Sequence, residues 1–363
     1  MKDDAREAPA MDFGFHFGSH KTVHDDVALA EQIGFSHAWL YDSQMIYGDV
    51  YAGLCLCALH TRKIKLGPGV TNPRSRIFPA TACAMATLNL FAPGRAVLGI
   101  GTGNSTRRAM GFPAVKLAEL RECVEVCRGL LRGECVRYRE RDTERMIQFL
   151  PPPGTMNLRD PVPIYISGAG PQALELAGEL GDGVILWGLT DESLIDYHLQ
   201  YVRRGAERAG RSLNDLYVVC MTAHHFTRPG ESLDSLQREV GSMAVSSFNL
   251  LALSCRGDPE VLPASLRSAI MACKDAFRAP GASVETRHLE PYREYVASFR
   301  PEHAPLATEQ AIRATTLTGT PQECLESVRR MERAGVQHVA IRPDFTASAE
   351  SLRTFASEII ERY

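Results

Sequence analysis

The chain has no excess of charge of either sign: 40 Lys and Arg stand against 43 Asp and Glu in 363 residues, for a net charge of −3. That balance gives no electrostatic reason to bind nucleic acid or an anionic membrane, and neither is expected as a partner. No run approaches the ~18 apolar residues that would span a bilayer. The segment Met1-Lys2-Asp3-Asp4-Ala5-Arg6-Glu7 is charged and lacks the apolar stretch of a secretory signal. Cysteine is present but lacks metal-ligand spacing. Cys55 and Cys57 are two apart, and Cys123 and Cys127 fall on one helical stripe. They read as small buried hydrophobes in a reduced cytoplasm, with no metal site expected. The glycine-rich dinucleotide fingerprint is missing too. After the first strand the chain offers only Phe17-Gly18-Ser19-His20, which argues against a doubly wound sheet. A metal hydrolase barrel would want His-x-His there, a spacing that His16 and His20 lack. Lys63 and Lys65 sit at the start of a strand, the wrong end for a Schiff-base lysine.

What the sequence does contain is one unit repeated. Ala30-Glu31-Gln32-Ile33-Gly34 leads into His37–Asp42, Ala177-Gly178-Glu179-Leu180-Gly181 into Val184–Trp187, and Met331-Glu332-Arg333-Ala334-Gly335 into His338–Arg342. In each, an amphipathic helix ends at a glycine, which adopts the left-handed conformation at little cost, and a short apolar strand follows. Such strands show little polar alternation, as in a parallel sheet covered on both faces. Further strands read at Phe13–Phe17, Ile64–Val70, Ala96–Ile100, Ile164–Ser167 and Leu216–Met221, making eight. Thr22 and Asp25 are placed to cap the first helix, and Thr320-Pro321-Gln322-Glu323 forms a capping box on a later one. On Ala114–Leu131, the residues Leu120, Cys123, Val124, Cys127, Leu130 and Leu131 make a core-facing stripe.

Eight strand–helix units predict an α/β fold, a (β/α)8 TIM barrel forming one domain over residues 1–363. Two spacings are too long for simple units. Val136–Asp160, with Pro151-Pro152-Pro153-Gly154 as a turn, reads as a hairpin inserted after strand four. Residues 229–307 read as a helical insertion between strands seven and eight, with helical stretches near Ser232–Asn249, Pro259–Phe277 and Val284–Ala297. Barrel active sites lie at the C-terminal mouth of the strands, so this insertion is expected over the site.

Two glycine clusters follow strands at that mouth: Gly99-Ile100-Gly101-Thr102-Gly103-Asn104-Ser105, and Ser167-Gly168-Ala169-Gly170-Pro171 at the head of a helix. Glycines let backbone N–H groups close on a ligand, and a helix N-terminus attracts anions, so a phosphate site is the physical reading. Tight loops packing on themselves are the competing one. A third cluster, Leu66-Gly67-Pro68-Gly69-Val70-Thr71-Asn72-Pro73, puts two glycines and a proline in a strand. That weakens pairing and points to a bulge or to a ligand approaching the backbone.

These stretches, with Pro79-Ala80-Thr81, Ala86-Thr87-Leu88, Gly94-Arg95, Gly181-Asp182-Gly183 and Trp39-Leu40-Tyr41-Asp42-Ser43, resemble the bacterial luciferase-like family. The closest likeness is to its deazaflavin (F420)-dependent branch of methylenetetrahydromethanopterin reductases and glucose-6-phosphate dehydrogenases. The resemblance implies a TIM barrel with the cofactor ring against strand three, where a non-proline cis peptide falls at Gly69–Val70. It implies ring contacts from Asp42 and Asn72, with Trp187 close by. The phosphate end would be held by Ser167, Gly168, Ala169 and Gly170 and by Gly101, Thr102 and Gly103. The match does not extend over Pro229–Ala307. Arg74, Arg76, Arg107 and Arg108 follow the cofactor strands, with Arg107 expected to meet an anionic cofactor tail.

The expected function is hydride transfer between F420 and a small-molecule substrate, most simply reduction of C=C, C=N or C=O. The alternatives are an FMN-dependent monooxygenase using oxygen and a non-catalytic flavin-binding protein. The oligomeric state is open, with a homodimer one expectation. The sugar-phosphate dehydrogenases carry a His and a Glu where this chain has Ser43 and Asn104, so their acid–base pair is not expected here. His225, or else His16, is the expected proton donor, since both fall at strand ends and imidazole is the side chain that most readily carries a proton near neutral pH. Asp42 is the third candidate, better suited to holding the cofactor ring.

Overall fold

The computed structural model describes residues 11–255, 258–277, 283, 285–286, 288–292, 299–343 and 348–363. Within them the apolar runs form β1 (Asp12–Phe17), β2 (His37–Leu40), β3 (Lys65–Pro68) and β4 (Leu98–Ile100). An antiparallel hairpin of β5 (Val136–Glu140) and β6 (Thr143–Ile147) follows. Then come β7 (Ile164–Ser167), β8 (Gly183–Trp187), β9 (Tyr217–Phe226), β10 (Leu317–Gly319) and β11 (His338–Arg342). Eight of these strands pair in parallel in the order β3-β2-β1-β11-β9-β8-β7-β4. The ring closes through bridges from Leu66 to Ala96 and from Thr71 to Ile100. The fold is therefore the expected (β/α)8 barrel.

The barrel interior is plugged by Trp39, Val97, Tyr165, Ile185, Val219, Met221 and Ala340. Gly67 has no room for a side chain, because a Cβ there would lie 2.1 Å from the Val97 carbonyl oxygen. The surrounding helices bury a second, larger core that includes the whole stripe Leu120, Cys123, Val124, Cys127, Leu130 and Leu131.

Local chemistry explains several boundaries. Gly34 and Gly335 take the left-handed conformation at φ 99° and 100° after their helices. Gly181 does not, at φ −71°. Its glycine is required instead by close packing, since a Cβ would meet the Gly183 carbonyl oxygen at 2.6 Å. Thr320 and Glu323 form the reciprocal capping box with Pro321 in the first turn. Thr22 stands at the first helix's N-cap without a side-chain cap bond, and Asp25 lies in that helix's first turn.

Three expectations need correction. The hairpin turns at Arg141 and Asp142, with Arg141 at φ 54°, well before Pro151–Gly154. Strand seven continues past Met221 to Phe226, because Leu317, Thr318 and Gly319 pair with His224, His225 and Phe226. The insertion after it opens with helical residues Leu233–Ser254, which include a wider turn at Gln237–Gly241. Only short pieces, Pro259–Val261 and Arg267–Ala272, occupy the second expected stretch. The third, Val284–Ala297, falls largely outside the described residues.

Candidate active site

The C-terminal ends of the strands open into a cavity of about 1160 Å³. Its volume exceeds the ~300–1,000 Å³ usual for one small ligand, so a cofactor ring and a substrate can share it. Its apolar floor is Val70, Ile185, Trp187 and Met221. The Gly69–Val70 peptide is cis, at the point where β3 leaves the ladder. Gly69 has no room there for a side chain, since a Cβ would come within 2.7 Å of Trp39 Cβ. On the insertion side, Met243, Ser246, Asn249 and Leu250 of the helix Ser242–Ser254 face the cavity. Arg108, Lys274 and Arg300 bring positive charge to its lining.

Two loops at the rim are built for an anion. Among the described residues, no acceptor is engaged by the N–H groups of Thr102, Gly103, Gly168, Ala169 or Gly170. Four of these five residues line the cavity, and Gly170 begins a helix whose N-cap has no side-chain bond. These residues are half-buried at the strand ends, and N–H groups clustered at a cavity wall and a helix N-terminus suit a ligand carrying phosphate or carboxylate. A planar flavin-type ring on the apolar floor with an acidic tail at the loops fits the donors present.

The polar wall is a network around Asp42, which is buried. Thr71 Oγ1 donates to Asp42 Oδ2 at 2.5 Å, and Arg76 reaches both carboxylate oxygens at 3.0 and 3.2 Å. Arg76 also pairs with Asp49 at 2.5 Å and lies 4.6 Å from the centre of the Tyr51 ring. Ser43 meets Thr106 at 3.2 Å, and Thr106 Oγ1 donates to the Asp42 carbonyl at 2.8 Å.

Beside Asp42, Tyr41 also lines the cavity, and behind it lies His16. His16 Nδ1 and the Tyr41 hydroxyl are 2.5 Å apart, and His16 Nε2 is 3.0 Å from the Thr222 carbonyl oxygen. Burial pushes the imidazole down from 6.5 to about 3, against the Thr222 hydrogen bond and with help from Arg342. His16 is therefore neutral at ordinary pH.

Of the residues singled out in the sequence, the cavity gathers Asp42, Gly69, Val70, Gly101, Thr102, Gly103, Ser167, Gly168, Ala169 and Trp187. Five lie elsewhere. His225 is off the cavity, held by Glu231 at 3.0 Å, because the β9–β10 pairing carries strand seven past the mouth. His16 is completely buried and lies behind Tyr41 and Trp187, which line the cavity. Asn72 is consumed in a turn, donating to Ser75 Oγ at 2.7 Å and accepting from Arg74 N at 3.0 Å. Arg107 donates to the Pro113 carbonyl and stacks on Phe112, and its neighbour Arg108 lines the cavity instead. Gly170 packs toward Ser254, 3.3 Å from where a Cβ would stand. The sequence reading missed Tyr41 and the pairing of Arg76 with Asp42. A tyrosine beside an aspartate at the end of an apolar strand was the available signal.

Residues 18–338 match the model of a family described as luciferase-like monooxygenase. The chain is 31% identical to 5,10-methylenetetrahydromethanopterin reductase of Archaeoglobus fulgidus, over 97% of this chain and 99% of that one. It is 38% identical to F420-dependent glucose-6-phosphate dehydrogenase of Nakamurella multipartita, over 57% of this chain and 66% of the relative. Among solved structures, the coenzyme F420-dependent tetrahydromethanopterin reductase of Methanopyrus kandleri superposes with a TM-score of 0.72 at 25% identity, covering 98% and 99% of the two chains.

Proposed function

This chain belongs to the luciferase-like monooxygenase family, and from that premise we propose that it is an oxidoreductase passing a hydride between coenzyme F420 and a small organic substrate, at a C=O, C=N or C=C bond. The observation that carries this reading is the cavity's division. It has an apolar floor at Val70, Trp187 and Met221, and a rim of N–H groups at Thr102–Gly103 and Gly168–Ala169 that engage no acceptor among the described residues. The likeness to F420-dependent relatives along nearly the whole chain supports it. An open cavity of about 1160 Å³ speaks against a merely flavin-storing protein, whose site side chains would fill.

When bound, a deazaflavin supplies a ring carbon that gives or takes a hydride and does not readily activate oxygen; the protein positions it. Asp42, fixed from behind by Thr71 and Arg76, offers an acceptor to a polar ring edge. Ser167, Gly168, Ala169, Gly101, Thr102 and Gly103 hold the phosphate end, and Arg108 and Lys274 meet the acidic tail. The insertion over residues 229–307 supplies the substrate side, through Met243, Ser246, Asn249 and Leu250. Titration of the protein with F420 and with FMN, followed by absorbance, tests the reading. F420 should bind at least about tenfold more tightly, a difference of about 1.4 kcal/mol. Tighter binding of reduced FMN, with oxygen consumed on substrate addition, would replace it with the monooxygenase reading.

A further inference from the structure

We propose that the substrate is neutral and carries a hydrocarbon group, which lies along one face of the helix Ser242–Ser254 while the reacting bond sits over the apolar floor. The proposal rests on the hydride-transfer reading above and narrows its substrate class to apolar carbonyl, imine or alkene compounds.

The helix lies along the rim between the ends of β8 and β7. At its start it packs on Gly188, directly after Trp187: the Met243 sulfur stands 3.7 Å from where a Gly188 Cβ would be, and Ser247 is nearer still. At its end, Ser254 Cβ stands 3.3 Å from where a Gly170 Cβ would be, and Ser254 Oγ lies 3.4 Å from the Ala169 carbonyl oxygen. Between Met243 and Leu253 the helix covers about 15 Å. Met243, Ser246, Leu250 and Leu253 recur every three or four residues, so they share one face, and all four line the cavity. Three of them are apolar, and Phe277 lines the cavity with them.

The polar groups of the same wall are spent on holding the insertion together. Asn249 donates its amide to the carbonyls of Cys273 and Lys274, at 2.8 and 2.9 Å. A carbonyl only accepts, so the His303 ring donates to the Ala276 oxygen at 2.9 Å, and it meets Phe277 edge to face at 5.0 Å between centres. Arg300 donates to the Glu290 carbonyl and faces Glu302 at 3.7 Å. Across the cavity, Asp42 is held by Arg76 and Thr71, and Ser43 by Thr106. Charge on the insertion is offset as well, since Lys274 and its neighbour Asp275 both line the cavity. An anionic substrate would have to share Lys274 and Arg108 with the acidic cofactor tail. A polyol would set hydroxyls against Met243, Leu250 and Phe277, and each one left without a partner costs free energy. Ser242 and Ser246, near the start of the helix, can serve one polar group beside the reacting bond.

The test uses protein loaded with oxidised F420, which has no hydride to give, so that ketones bind without turning over. Loading is read first by absorbance, and ketone affinity then by calorimetry. From butanone through hexanone to octanone, affinity should rise about two- to fourfold for each added methylene. Butanone should bind more tightly than hydroxyacetone, which replaces its last methyl by a hydroxyl. Octanone should bind at least about tenfold more tightly than the keto acid whose chain ends in a carboxylate. Leu250→Ser, at a half-buried position, and Leu253→Ser, at an exposed one, should each flatten the rise with chain length and leave the fold intact by melting temperature. Affinity independent of chain length, tighter binding of hydroxyacetone or of the keto acid, no octanone binding, or an unaltered rise in both variants would each overturn the proposal. A cofactor that fails to bind would strike the hydride-transfer reading and this proposal together. A loaded protein that fails the ketone series would strike this proposal alone.

Discussion

Acid should unfold this protein earlier than its carboxylates alone would dictate. His16, His37, His198 and His338 are completely or almost completely buried. Burial pushes His16 and His338 down to about 3 and His198 to about 4, and holds His37 well below the ordinary 6.5. A depressed histidine is neutral in the folded chain but takes up a proton once unfolded below pH 6.5. Its contribution is therefore complete above that pH and is lost as pH falls toward the folded value. Each such proton is worth about 1.4 kcal/mol per pH unit. From pH 7 to pH 5 His16, His198 and His338 should each cost about 2 kcal/mol, about 6 kcal/mol together, with His37 adding in the same direction, against the ~5–15 kcal/mol stability of a typical domain. Urea unfolding at half-unit steps between pH 7 and 5 measures this directly. Stability should fall with a slope approaching at least three protons, and His198→Gln should lower that slope by about one, since its ring Nδ1 bonds the Leu194 carbonyl of its own helix. A curve flat to within one proton over that window, or a slope unchanged in His198→Gln, would refute the burial argument.

Three further outcomes follow from the geometry. Ala169→Glu places a carboxylate on the anion loop, and should weaken F420 binding by tenfold or more with an unchanged melting temperature. An unchanged affinity would remove the phosphate end from that loop. His225→Gln should leave single-turnover hydride transfer within about twofold of the parent, because the Glu231 pair lies off the cavity; a loss of tenfold or more would return His225 to the chemistry. Glu31 accepts the N–H groups of Arg62, Lys63 and Ile64, and although burial pushes its carboxyl up, those three bonds hold it below its usual value. Glu31→Gln should therefore cost about 1.5–3 kcal/mol at pH 7 by chemical denaturation. That gap should close as pH falls below the carboxyl's unfolded value, and a gap that persists in acid would contradict the assignment.

The barrel was legible because its strands are short apolar runs between glycine-ended helices, a signal carried by nearest neighbours. β10 was not, because Leu317-Thr318-Gly319 has neither length nor alternation, and its strand character comes from pairing with His224–Phe226. That one missed pairing also bears on His225, which the strand-end argument put at the mouth with strand seven ending at Met221 and which instead sits off the cavity, paired with Glu231. The glycine loops and the Gly69–Val70 bulge could be located because glycines and a proline in a strand contradict local preference. Arg107 and Arg108 are adjacent, and only the turn of the helix Asn104–Ala109 decides which faces the cavity. Tyr41 was hidden by its apolar ring: the sequence shows a strand-end aromatic, and only the packing of β1 beside β2 shows its hydroxyl joined to His16.

The central claim is most directly tested by loading the protein with reduced F420, adding the most reactive carbonyl, imine or enone probe, and following cofactor absorbance together with dissolved oxygen. The account predicts one cofactor oxidised for each substrate molecule reduced, at the same rate with and without air, and with no oxygen consumed. Oxygen uptake matching substrate consumption, supported by reduced FMN and not by reduced F420, would contradict it.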